Sequence, residues 1–272
     1  MKNILKITFV TAMLALFTGC ETTELDLLDN PNAIGADVAS PNFVLNSIQL
    51  SFNGVVSGFR GSSSNITRLT AQFGQYNGSV TVTSLNGAWA TAYNMFANVD
   101  LIEEINAASE IPIPYHVALA QIMEAYTYIT LVDYVGDVPY SQANQFGDFP
   151  TPDLDPGADV YAAQIALLNT AISNLGEVSA IIPQDLFYGD FGPDSPDKWI
   201  AVANTLKLKA YLNMGDGAAI SDLLSENIID TDDEDFQYNY TTATSPESRS
   251  PIFLGNYPNG TGFYMSNGFL DM

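Results

Sequence analysis

Apolar side chains recur at helical spacing in five segments of the chain, which predicts five amphipathic helices. The fourth segment, with steps of 4, 3, 4 and 3 residues, has the most regular spacing. The five apolar faces are Leu45, Ile48, Phe52 and Val55; Leu85, Trp89, Ala92, Phe96 and Val99; Leu119, Ile122, Tyr126 and Ile129; Tyr161, Ile165, Leu168, Ile172 and Leu175; and Trp199, Val202, Leu206 and Ala210.

Capping and breaking residues mark the ends of these helices. The second helix is predicted over about 85–107, and the third ends at Gly136, because glycine commonly follows a last helical turn. The predicted starts are Ser40-Pro41 for the first helix, Asp159 for the fourth and Ser195-Pro196 for the fifth.

Long loops separate the predicted helices. Residues 58–84 are rich in Gly, Ser, Thr and Asn, and residues 137–158 hold four prolines. After a short helix near 217–226, an acidic loop and a Gly/Asn/Tyr-rich tail follow. We therefore expect an all-α fold of paired, tetratricopeptide-like helices with an irregular C-terminal part, although no strict 34-residue repeat is visible.

The N-terminus has the features of a bacterial lipoprotein signal. Lys2 and Lys6 precede the apolar run 7–17, which is too short to span a bilayer comfortably, and Cys20 follows a small-residue site. Cys20 is the only cysteine, so it has no disulfide partner in this chain and is predicted to carry lipid. The predicted organisation is a signal peptide (1–19), a lipidated tether (20–39) and one helical domain (40–272).

Composition narrows the possible partners. The formal net charge is −23, and removal of the signal peptide with its two lysines changes it to −25. Such a surface repels nucleic acid and anionic lipid headgroups. Since no later segment is apolar enough to cross a membrane, we expect a chain that is anchored by lipid and otherwise soluble.

Four segments, in this order, resemble the SusD/RagB family of outer-membrane lipoproteins. They are "NGAWATAYNMFANVDLIEEI" (86–105), "EAYTYITLVDYVGDVPYSQA" (124–143), "SPDKWIAVANTLKLKAYLNM" (195–214) and "ESRSPIF" (247–253). Two features depart from the family pattern: Gln142 stands where a carboxylate is usual, and family members are roughly twice as long. The resemblance thus predicts the N-terminal half of such a protein, with one flank of the core uncovered and residues after about 236 poorly packed.

The resemblance also implies a function and a partner. Proteins of this family lie at the cell surface of Bacteroidota, capture oligosaccharides or peptides, and deliver them to a SusC-like TonB-dependent transporter. They bind their ligands without catalysis and need no cofactor. We therefore expect a nutrient-binding lipoprotein of the outer membrane that faces the cell exterior.

Aromatic residues beside amides are the candidates for ligand binding. Phe73, Tyr76 and Asn77 lie in the first long loop, and Tyr188 lies in a similar segment, although each aromatic ring could instead be held against its own scaffold. Trp89 and Trp199 occupy apolar helix faces, where tryptophan is more often a core residue. Trp89 remains a candidate because it follows the long loop.

The remaining motifs favour structural roles. Residues 136–140, "GDVPY", are expected to build a turn, and the carboxylates of 230–235 to form a solvated loop, because the glycine and terminal glutamate of a helix-loop-helix calcium site are missing. His116 is the only histidine and cannot form a zinc site. Two alternatives stay open: a glycosidase with two acids across the sugar, and a surface scaffold that binds only proteins.

Overall fold

The computed structural model describes residues 39–71, 81, 83–258 and 264–271, and this part of the chain is helical. Five long helices are followed by three short ones and a 3-10 turn at Asp232–Glu234. The helices are α1 Pro41–Ile66, α2 Asn86–Ala108, α3 Pro114–Val135, α4 Gly157–Leu175, α5 Ser195–Met214, α6 Gly217–Leu223, α7 Pro251–Asn256 and α8 Asn267–Leu270.

Helix α3 is the centre of the fold. It packs against α1, α2, α4 and α5, whereas consecutive helices otherwise pair with their neighbours, α1 with α2, α4 with α5 and α5 with α6. Most of its residues are buried, as expected for a helix that is apolar all round. The expected architecture of paired helices is confirmed. None of the helices in the described part of the chain is long and apolar enough to cross a membrane.

The buried faces follow the predicted pattern at every named position in α1 and α5 and depart from it most in α4. The spacing of apolar residues places Tyr161, Ile165 and Ile172 at the centre of the buried face, but all three are only partly buried. Leu168 and Leu175 are buried as predicted, and the other buried positions, Val160, Gln164 and Ala171, each precede one of these three by one residue. The prediction was wrong by one residue at these three positions, in part because a buried glutamine does not register in an apolar pattern.

One helix start also differs from the prediction. Helix α4 begins at Gly157, and Asp159 lies in its first turn instead of capping it. Glycine allows a close approach here, since a Cβ at position 157 would lie 2.9 Å from Cγ1 of Val132. Helix α5 begins at Ser195 with Asp194 as the N-cap residue. This is the predicted Ser195-Pro196 start.

Helix α1 is longer than the sequence indicates. The predicted loop began at residue 58, yet the helix continues to Ile66. Phe59 is buried in this extension, and its ring lies 4.5 Å from that of Tyr134 on α3. The hydroxyl groups of Ser63 and Ser64 donate to carbonyls one turn earlier. Tertiary packing of Phe59 outweighs the low helix propensity of glycine and serine, and the serine hydroxyls find their hydrogen-bond partners within the helix.

The C-terminal part is irregular and mostly exposed, as expected. Tyr257, Tyr264 and Leu270 are apolar or aromatic side chains that remain more than half exposed. One end of this segment is nevertheless fixed, because the backbone N–H groups of Ala71 and Ser266 donate to the carbonyls of Tyr264 and Leu69. The tail therefore contacts the end of α1 although few of its side chains are buried.

Candidate functional site

The turn between α3 and α4 is built by the segment "GDVPY". Gly136 ends α3 with a φ of +82°, a conformation that favours glycine. Asp137 accepts a hydrogen bond from the backbone N–H of Gly157, at 2.9 Å, and so satisfies a free donor in the first turn of α4. Val138 and Asp155 exchange backbone hydrogen bonds across the loop. The expected structural role of this motif is confirmed.

Asp155 holds the far side of the same turn and sets the position of Tyr140. Its carboxylate accepts from the backbone N–H groups of Tyr140 and Ser141 and from the Ser141 hydroxyl, at 2.7–2.9 Å. Burial alone would raise the pKa of Asp155, but these hydrogen bonds to its charged form lower it overall. The hydroxyl of Tyr93 on α2 donates to the Pro139 carbonyl at 2.7 Å. The turn is therefore tied to α2, and the Tyr140 ring faces the space between them.

That space is a cavity of about 780 Å³ between α2, α3 and the turn, which we call the acidic cavity. Helix α2 supplies one face through residues spaced by three or four positions, and α3 supplies a second through Glu124 and Tyr128. Four of its lining residues are acidic: Asp100, Glu103, Glu104 and Glu124. Hydroxyl and amide groups of the turn, from Ser141, Asn144 and Gln145, complete the wall.

Glu124 has the most perturbed carboxyl group in this cavity. Burial, together with the nearby carboxylates of Glu103 and Asp100, raises its pKa to about 8. Burial also raises the pKa of Asp100, with contributions from Glu103 and Glu104. Near neutral pH Glu124 therefore carries its proton and can donate a hydrogen bond, while its neighbours accept. Such a mixture of donors and acceptors suits the hydroxyl groups of a sugar.

Trp89 lies at the start of α2, outside the lining of the acidic cavity. Its ring is partly buried and lies 5.1 Å from the Tyr93 ring, which in turn contacts Phe96 and Tyr128 beside the cavity. The indole N–H of Trp89 makes no hydrogen bond to any residue that the structure describes. A partly exposed indole with a free donor is available to a ligand. Asn144 of the cavity wall donates to the Tyr93 carbonyl, which links the two surfaces.

Trp199 contrasts with Trp89 and is a core residue, as expected. Its side chain is fully buried, and its indole N–H donates to the Asp185 carboxylate at 2.7 Å. Tyr188 packs edge-on against Trp199, and its hydroxyl donates to the Glu234 carbonyl at 2.8 Å. Both the ring and the hydroxyl of Tyr188 therefore contact other parts of the protein, and Tyr188 belongs to a different aromatic cluster from Trp89.

Solved structures with a similar fold support this architecture. A SusD/RagB family protein from Bacteroides thetaiotaomicron is 21% identical, with a TM-score of 0.64, 84% of this chain covered and 50% of that chain. A chitin-binding protein is 19% identical, with a TM-score of 0.64 and coverages of 85% and 52%. A SusD-like protein from Bacteroidetes AC2a is 18% identical, with a TM-score of 0.67 and coverages of 86% and 48%. This chain thus spans about half the length of these proteins.

A family model described as "Starch-binding associating with outer membrane" matches residues 42–272. The chain belongs to the SusD-like family. No curated protein matches it. Within this SusD-like chain, the two segments of resemblance at 86–105 and 124–143 form α2 and α3 with the adjoining turn, and these elements enclose the acidic cavity.

The loop candidates lie outside the described residues of the SusD-like chain, as does the predicted lipidation site. Phe73, Tyr76 and Asn77 precede α2, and Cys20 precedes α1. Their assignments stay predictions. The acidic cavity itself was not predicted from the sequence. The pairs Asp100/Glu104 and Glu124/Tyr128, each spaced by four residues on one helix face, are the sequence features that could have indicated it.

The acidic loop 230–235 packs onto the SusD-like helices through its backbone. Lys198 on α5 donates to the Asp233 carbonyl at 2.7 Å, and the Glu234 carboxylate accepts from the N–H of Asp230 at 3.2 Å. Among the residues whose positions are described, no group of three His, Cys, Asp or Glu side chains has an arrangement that could hold a metal ion.

Proposed function

We propose that this protein captures oligosaccharides at the outer surface of the cell and delivers them to a SusC-like TonB-dependent transporter. The observation that carries the proposal is the family match over residues 42–272, with its description of starch binding and outer-membrane association. That description names binding and no reaction, so we propose capture without turnover. The solved chitin-binding protein of similar fold is consistent with a saccharide ligand.

We assign the ligand surface to Trp89 and the adjoining rim of the acidic cavity. Trp89 offers an aromatic face and a free donor, and the cavity offers carboxylates together with the protonated Glu124. Aromatic rings pack against the C–H faces of sugars, while carboxylates accept hydrogen bonds from sugar hydroxyls. The predicted loop residues Phe73, Tyr76 and Asn77 precede α2 in the sequence, and we propose that they extend this surface.

We further propose that Cys20 carries the lipid anchor. The short apolar run followed by a single cysteine is typical of lipoprotein processing, and acyl chains add about 0.8 kcal/mol of membrane affinity for each buried methylene. The anchor would keep the helical domain next to the transporter. Capture and delivery would then occur at one location on the membrane.

Titration calorimetry after a glycan-array screen tests the proposal. We expect the chain to bind a neutral oligosaccharide, and Trp89→Ala and Tyr76→Ala each to weaken that binding by about 1–2 kcal/mol, the usual loss for an aromatic contact. Tyr257→Ala is the matched control, because it removes an exposed tail aromatic that lines none of the cavities described here. If no glycan binds, the capture function is wrong and a scaffold for protein partners becomes the better explanation.

A further inference from the structure

A second cavity differs from the first in both position and charge. It has a volume of about 260 Å³ and lies between α1, the segment 236–240 and the start of α7. Its floor is aromatic, with Phe52, Phe187 and Phe236 packed on one another at ring distances of 4.4–5.9 Å. Three tyrosines form the rim: Tyr126, Tyr238 and Tyr240. We call it the Arg60 cavity, after the single cation in its lining.

Arg60 is an exposed arginine whose side chain has no partner among the described residues. It lines this cavity and two neighbouring ones of about 320 and 330 Å³, and it forms no ion pair or hydrogen bond through its side chain with any described residue. Four other basic side chains each have a partner: Lys198 the Asp233 carbonyl, Lys207 the Asn204 side chain, Lys209 the Asp133 carboxylate and Arg249 the Glu247 carboxylate.

The lining of the Arg60 cavity contains no acidic residue, although the chain has 31. The acidic cavity, in contrast, is lined by four. Arginine binds carboxylates through two parallel hydrogen bonds, and its preference is strongest where no protein carboxylate competes. The charge of this cavity is therefore complementary to an anionic group.

The uncharged polar side chains of the Arg60 cavity indicate that the anionic group belongs to a sugar. The side chains of Gln237 and Ser57 line the cavity and make no hydrogen bond to any described residue, so they are available to hydroxyl groups. Asn53 is already engaged with the Tyr240 hydroxyl, at 2.9 Å, and fixes the rim. The partly buried Tyr126 and Tyr238 rings offer flat apolar surfaces.

We infer that the Arg60 cavity binds a pyranose that carries a carboxylate, that is, a hexuronic acid residue. A volume of about 260 Å³ is slightly below the usual range of ligand cavities, about 300–1,000 Å³, and fits one sugar ring, not a chain. The neighbouring cavity of about 320 Å³ shares Val56, Arg60 and Tyr126 with it, so a second ring can continue there. This neighbouring cavity is also lined by Asp133, whose carboxylate is already paired with Lys209 at 2.7 Å. The sugar carboxylate pairs with Arg60 between the two cavities.

Calorimetry with matched acidic and neutral sugars tests this site. The ligands are a hexuronic acid trisaccharide, the neutral hexose trisaccharide of the same linkage, and free hexuronate. The comparison with free hexuronate distinguishes binding of a chain from binding of a single sugar. We expect wild type to prefer the acidic trisaccharide, with an affinity that falls as salt rises. Arg60→Gln should weaken acidic binding at least about tenfold, the scale of a lost charge-assisted hydrogen bond.

The controls separate this inference from the proposed capture function. Lys207→Gln removes the same charge from α5, outside this cavity, and should leave acidic binding unchanged, whereas Arg60→Lys should lose part of it. Trp89→Ala should weaken neutral binding only. The inference is overturned if wild type shows no preference for the acidic trisaccharide, or if Arg60→Gln and Lys207→Gln have equal effects. Loss of neutral binding alone would count against the capture function and not against this site.

Discussion

Replacing Glu124 with glutamine should remove a pH dependence from the stability of the fold. The pKa of this carboxyl is about 8 in the folded chain, against 4.5 for an ordinary glutamate. Between these pH values the folded chain holds a proton that the unfolded chain has lost, so the unfolding free energy of wild type falls as the pH rises through this window. Glutamine mimics the protonated acid and cannot ionise, so the variant should lack this fall.

The magnitude follows from the same two pKa values. At about 1.36 kcal/mol per pH unit, their difference sets a ceiling of about 5 kcal/mol. Glu124 is only partly buried and salt screens its neighbours Asp100 and Glu103, so we expect Glu124→Gln to be more stable than wild type by about 2 kcal/mol at pH 8. The two proteins should converge towards pH 5.

Urea denaturation at several pH values measures this difference. Glu104→Gln is the control, since it removes an exposed carboxylate from the lining of the same cavity and should change the slope little. Parallel curves of unfolding free energy against pH for wild type and Glu124→Gln would refute the reasoning. They would mean that the Glu124 carboxyl is well solvated and ionised like an ordinary glutamate.

Two further predictions concern the core and the anchor. Trp199→Ala should destabilise the fold by about 3–5 kcal/mol in chemical denaturation, because it leaves a cavity and removes the indole donor to Oδ2 of the buried Asp185 carboxylate; a loss below about 1 kcal/mol would contradict its central role. Cys20→Ala should release the protein from the outer-membrane fraction or block its processing; a variant that fractionates with the membrane after signal cleavage would place the anchor elsewhere.

The sequence predicted the helices well because their apolar faces repeat over several turns. Leu45, Ile48, Phe52 and Val55 are all buried in α1, as the spacing required. The prediction from the sequence failed where tertiary contacts override local preferences. Helix α1 continues through a glycine- and serine-rich stretch because Phe59 packs on Tyr134 across the sequence, a contact that no local pattern reports.

The candidate site was harder to predict because cavities depend on how helices face one another. Trp89 could be selected from its position after a long loop, and its indole N–H has no hydrogen-bond partner among the described residues. Glu124 gave no such signal, since it stands within an apolar helix and acquires its high pKa only when α2 brings Asp100 and Glu103 close. Arg60 lies in the segment that the sequence predicts to be a loop, and it reaches a helix face only because tertiary packing extends α1 to Ile66.

The central helix explains how one small domain can present two cavities of opposite charge. On α3, Glu124 and Tyr128 line the acidic cavity, whereas Tyr126 and Thr130 line the cavities around Arg60. Each pair is spaced by four residues and lies on one face, and the two pairs are offset by two residues, or about 200° around the helix. The opposite faces of one rigid, buried helix therefore separate the two surfaces. A substitution on one face removes contacts from one cavity only, so the effects of changes at the two cavities on binding should add.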